Sequence, residues 1–138
     1  MTWTLASSTE VAAWGKARLT RRCDPRIDRL YGRLTRLDLP DLVVFEDVEF
    51  STYTKQTQLW SSFRTAVWLA FGGKAVLECV PVGTLKQFAT GRGNADKDCM
   101  LVAMHQQYPD TPRNLDDNAI DALWILKWAE KNLSRMPL

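Results

Sequence analysis

The chain has 138 residues, 46% of them hydrophobic, with six tryptophans and a formal charge of +2. That length suits one domain over 1–138, and no apolar run nears the roughly 20 residues of a bilayer-spanning helix. Three cysteines without paired spacing and a single histidine exclude a disulfide framework, a zinc site and chemistry needing two imidazoles. With no basic-then-apolar leader at the N-terminus, the expected setting is a reducing cytoplasm.

Met1 to Leu19 reads as a hairpin, with Thr2-Trp3-Thr4-Leu5 and Val11-Ala12-Ala13-Trp14 strand-like around a Ser7-Ser8-Thr9-Glu10 turn. Asp24-Pro25 opens a helix, aspartate as N-cap and proline at the first helical position. Ile27, Leu30, Tyr31, Leu34 and Leu37 recur at helical spacing as its buried stripe. Arg26, Arg29, Arg33 and Arg36 share another stripe, either a solvated face or a phosphate contact. Charge is segregated here. Eight basic residues lie between Lys16 and Arg36 against Asp24 and Asp28 alone, whereas 37–50 holds five acids and no base.

Leu42 to Phe50 is an apolar, β-branched and aromatic run that predicts a buried strand, interrupted by Glu46. A carboxylate there is costly to bury unless it is paired, hydrogen-bonded or metal-bound. A polar linker, Ser51 to Gln56, carries Tyr53 and Lys55. The helix predicted over 57–71 ends at Gly72-Gly73. Leu59, Phe63, Ala66 and Ala70 form one apolar face of it, and Trp60, Trp68 and Phe71 another. Such a helix is central in a core or shared with a second subunit. Ala75 to Val80 predicts a strand stopped by Pro81.

Thr84 to Met100 combines Gly91 and Gly93 with Lys86, Arg92 and Lys97, then leads into a helix running to about Gln107. Backbone amides and these cations suit phosphate binding, although a strand-to-helix turn has the same composition. It is not a Walker loop, since the spacing is wrong and no Ser or Thr follows the lysine. After a loop from Tyr108 to Asn114, a last helix is predicted over 115–133. Its inner stripe reads Ala119, Ala122, Leu126, Ala129 and Leu133, with Asn118, Asp121, Ile125 and Trp128 adjacent. Asn118 and Asp121 thus project together from the first turn. Asp116 and Asp117 suit the helix macrodipole, whereas Asp121 sits further in, among apolar neighbours.

In order, Val43-Val44-Phe45-Glu46-Asp47-Val48, Leu85-Lys86-Gln87, Gly91-Arg92-Gly93-Asn94-Ala95-Asp96-Lys97 and Asn118-Ala119-Ile120-Asp121-Ala122-Leu123 resemble the RuvC-type Holliday-junction resolvases. The likeness is to their compact phage-like branch within the RNase H-like superfamily, and it extends from Trp3 onward. It implies an α/β fold: an RNase H-like mixed sheet flanked by helices, in a homodimer. The implied activity is Mg²⁺- or Mn²⁺-dependent hydrolysis of phosphodiesters in branched DNA. Glu46, Asp121 and Asn118 would be catalytic metal ligands, with Asp117 as an auxiliary one. Lys86 and Lys97 match lysines that the family places near the DNA backbone; Arg92, Asn94 and Lys55 complete the DNA-binding set. Two departures accompany the likeness. Asn118 stands where the family has Asp or His, and the N-terminal strand with its essential Asp is missing or replaced. The second departure leaves two readings, an impaired nuclease or a non-catalytic DNA-binding or structural dimer that keeps the fold. A small metal-dependent nuclease with another substrate is a third.

Overall fold

In the computed structural model, residues 3–16, 24–47 and 54–133 are described. They fall into two compact units. The first holds α1 (Ser8–Lys16), α2 (Pro25–Leu34) and α3 (Thr54–Phe71). The second holds β1 (Leu42–Asp47), β2 (Val76–Pro81) from Leu77 onward, α4 (Val82–Thr90), α5 (Lys97–Gln107) and α6 (Asp117–Leu133).

The expected N-terminal hairpin is replaced by α1. The cause is local. The Ser7 hydroxyl accepts from the Glu10 amide at 3.2 Å, and the Glu10 carboxylate accepts from the Ser7 amide at 2.9 Å. That reciprocal pair is a capping box, and it satisfies amide donors that a new helix leaves unpaired. Residues 1–2 and 17–19 of the expected hairpin lie outside the described residues. In α2 the Asp24 N-cap and proline at the first position are as expected. Its apolar stripe is not buried, however: Tyr31 is 40% and Leu37 45% exposed. In α3, which begins at Thr54 rather than 57, Ala66, Ala70 and Phe71 are buried. Trp68, expected on the same face as Phe71, is 50% exposed, and Leu69 is 67% exposed.

The second unit is a parallel two-stranded sheet, β1 beside β2, with helices packed on it. No third strand occurs among the described residues; Val48 to Phe50, expected in the Glu46 strand, lie outside them. The segment expected to be a strand-to-helix loop contains a further helix, α4. Leu85, Phe88 and Ala89 recur at helical spacing, and Leu85 and Ala89 are buried. Gly91 ends α4 in the left-handed conformation (φ 78°), which glycine adopts without a Cβ penalty.

The core of this unit joins Val80, Leu85, Ala89, Met100, Ala103, Met104, Ile120 and Trp124. Trp124 is fully buried, donates from its indole N–H to the Met100 carbonyl at 3.1 Å, and meets the Phe88 and Tyr108 rings edge-on at 6.0 Å. The inner stripe expected for α6 holds in part: Ala119 and Ala129 are buried as expected, Ile120 and Trp124 join them, and Ala122 is exposed and Leu126 50% exposed.

Candidate active site

Strand β1 and helix α6 pack against each other, and each contributes one half-buried carboxylate, Glu46 and Asp121. Burial holds the Glu46 carboxyl above the usual glutamate range, and the Asp121 charge pushes it further. The Asp121 carboxyl is likewise held up by burial, with the Asp117 charge adding to the effect. Both are pulled back by Lys86 on α4, and Asp121 more strongly by Lys97. The strand β1, helices α6 and α4 and the start of α5 thus bring their charges within electrostatic reach of one another.

Helix starts fix the surroundings. Asp96 caps α5 by accepting from the Cys99 amide at 2.8 Å, and that bond, together with the Arg92 and Lys86 charges, lowers its carboxyl below the usual range. Lys86 is therefore a cation shared by Glu46, Asp121 and Asp96. Asp116 caps α6 by accepting from the Ala119 amide at 2.8 Å, a tighter role than the macrodipole effect expected for it. Asp117, the expected auxiliary ligand, is exposed and ion-paired with the Lys97 ammonium at 2.9 Å. That pair raises the lysine's affinity for its proton.

Glu46, Asp121 and Lys86 are therefore assembled, with Lys97 and Asp117 beside them. Asn118 is exposed in the first turn of α6, and Asn94 is exposed in the α4–α5 loop. Arg92, also exposed, directs a guanidinium N–H at the Cys99 sulfur at 3.6 Å, in a cleft of about 560 Å³ between α4 and α5. Lys55 stands on α3, in the other unit. Sequence reasoning passed over Trp124, Asp96 and Asp47, whose carboxylate lies 4.0 Å from the Cys79 sulfur. An aspartate directly before the helical run that carries Met100 was the readable signal for Asp96 as a cap. Nothing local marked Trp124.

The donor chemistry fits a hard divalent cation in part. Two half-buried carboxylates that repel each other would be relieved by a positive ion between them, and such ions favour oxygen ligands. Among the described residues no group of three or more His, Cys, Asp and Glu gathers into a metal site.

No protein-family model matches the chain, and no curated protein sequence matches it. Among solved structures it is similar to the RuvC structure of Thermus thermophilus, with a TM-score of 0.56 and 15% sequence identity. The match covers 82% of this chain and 72% of that one. No helix among the described residues is long and apolar enough to cross a membrane. The similarity is one of fold: the chain folds in a manner similar to that RuvC structure.

Proposed function

We propose that this chain is a RuvC-like endonuclease that binds DNA, branched DNA above all, and hydrolyses its phosphodiesters with Mg²⁺ or Mn²⁺. The observation that carries the reading is the convergence of Glu46 and Asp121, from a strand and a helix 75 residues apart in sequence, into one half-buried acidic pair beside Lys86. Structural carboxylates are normally kept solvated or fully paired, because burial disfavours their charge. A pair kept half-buried at such cost is a functional-site signature.

In this reading Glu46 and Asp121 hold the cation, and Asn118 adds a neutral amide oxygen. Lys86, Arg92, Asn94 and Lys97 lie along the DNA backbone, with Lys55 as a further contact. A bound divalent ion supplies Lewis acidity and lowers the pKa of a coordinated water. The protein's own contribution is to hold the two carboxylates and Lys86 in place. Lys97 reaches phosphate only by exchanging its Asp117 partner, an exposed pair of small worth. A homodimer joined through the exposed Trp68 and Leu69 of α3 completes the proposal, since branched substrates present paired strands.

A second reading, a non-catalytic DNA-binding dimer, is favoured by the two-carboxylate donor set and by the neutral Asn118. A cleavage assay on four-way junctions with Mg²⁺ or Mn²⁺, run beside Glu46→Gln, separates the two. Divalent-dependent cutting that Glu46→Gln abolishes is the expected result. Cutting that survives Glu46→Gln eliminates the site, and binding without cutting selects the second reading.

A further inference from the structure

The sequence left the arginine stripe of α2 open between a solvated face and a phosphate contact. The structure gives each arginine a different status. Arg26 is locked onto its own N-cap: its guanidinium reaches both Asp24 oxygens, the shorter contact at 2.6 Å, with the side chains only 25% and 21% exposed. Arg29 is held differently. Its two terminal nitrogens donate to separate oxygens of the N-terminal segment, the Leu5 carbonyl at 2.7 Å and the Glu10 carboxylate at 3.0 Å. That ion pair is 44% and 42% exposed. One turn on, the Arg33 guanidinium lies over the Trp3 ring, 5.5 Å from its centroid. Arg36 has no side-chain partner among the described residues.

We infer that the α2 face bearing Arg29 and Arg33, with Arg36 in the turn just past the helix end, is a phosphate-binding surface for a nucleic-acid backbone, covered by the N-terminal segment Trp3–Lys16, which the backbone displaces. Two oxygens on one guanidinium fork are what a phosphate offers to arginine. The Leu5 carbonyl and the Glu10 carboxylate thus occupy the place of a phosphate. The Trp3 ring covers the Arg33 guanidinium, which a phosphate can take instead. The Arg29 contacts are solvent-exposed, which makes them exchangeable, whereas the Arg26–Asp24 fork is not. Spacing fits as well. Arg29 to Arg33 spans about 6 Å along the helix, comparable to two base-pair rises on one DNA strand. Charge selects the partner class, because the net positive charge from Lys16 to Arg36 suits a polyanion. The inference rests on the proposal that the chain engages nucleic acid, but not on cleavage.

The test is fluorescence anisotropy of the full chain with a labelled 20-base-pair duplex at several salt concentrations, without divalent cations. Glu10→Gln removes the charge paired with Arg29, leaves its Leu5 contact in place, and is expected to tighten binding at least about threefold. Asp38→Asn removes the same charge from an exposed position and is expected to change affinity less than about twofold. The double variant Arg29→Gln/Arg33→Gln is expected to weaken binding and to lower the salt slope by about 1.8, the release expected from two phosphate contacts. Hydrogen exchange at the Ser8–Lys16 amides is expected to accelerate when duplex is added. Equal affinities for Glu10→Gln and Asp38→Asn, an unchanged salt slope in the double variant, or unaltered exchange with duplex bound would each overturn the inference. If the double variant does not fold, the Glu10→Gln comparison and the exchange measurement decide it. The readout is binding, so a chain that never cuts DNA still returns a clear answer.

Discussion

Replacing Trp124 by Phe tests how α6 is held in register and therefore how Asp121 is placed, since the two residues lie one turn apart. The substitution keeps an aromatic ring against Phe88 and Tyr108 but removes the indole N–H that reaches the Met100 carbonyl at 3.1 Å. A lost internal hydrogen bond is worth about 1 kcal/mol, and the carbonyl, inside α5, keeps its helical partner. The smaller ring gives up about 50 Å² of apolar contact, a further ~1 kcal/mol at 25 cal/mol per Å². Together they lower stability by about 2 kcal/mol, or roughly 6–8 °C in Tm for a chain of this size. Trp124→Ala, which leaves a cavity, is expected to cost about 3–5 kcal/mol. Urea unfolding followed by far-UV circular dichroism measures both without relying on tryptophan emission. A Phe variant as stable as the wild type, or as unstable as the Ala variant, would refute the account of this contact.

The acidic pair makes a prediction about pH. Glu46 titrates above its ordinary value, so its contribution to stability is present below that value and is lost as pH rises through the raised one. Glu46→Gln should therefore raise Tm near neutral pH and lose that advantage as the solution is acidified into the carboxylate range; no gain at neutral pH would sink the argument. Lys97→Gln removes an exposed ion pair with Asp117 and should shift Tm by no more than about 3 °C, while reducing duplex affinity at low salt in an anisotropy titration. Gly91→Ala forces a Cβ into a left-handed residue that closes α4 and should cost about 1 kcal/mol by urea midpoint. An unchanged midpoint would mean that the loop relaxes.

Much of this protein was legible as local chemistry. Asp24-Pro25 opens α2, Glu46 interrupts a β-branched run, Pro81 ends β2, and the last helix starts in a cluster of acids. The N-terminus was misread because alternating residues suggested strands, whereas Ser7 and Glu10 satisfy each other's amides and start a helix instead. Lysine and glycine composition suggests a loop where α4 forms, although Leu85, Phe88 and Ala89 stand at helical spacing. The resemblance singled out Glu46 and Asp121 as partners; their electrostatic interaction is a property of the folded chain.

Sequence by itself determined the helix caps, the breaks and the acid-bearing strand, because those depend on neighbours within a few residues. It could not determine which side of α6 turns inward. That depends on Trp124 finding a carbonyl and two rings on other helices, contacts between residues far apart in the chain. Nor could it show that the arginines of α2 already have partners, because Leu5, Glu10 and Trp3 reach them only once the N-terminal segment has folded back. Local hydrogen bonding writes the elements, while burial and charge pairing across sequence distance decide what each surface presents.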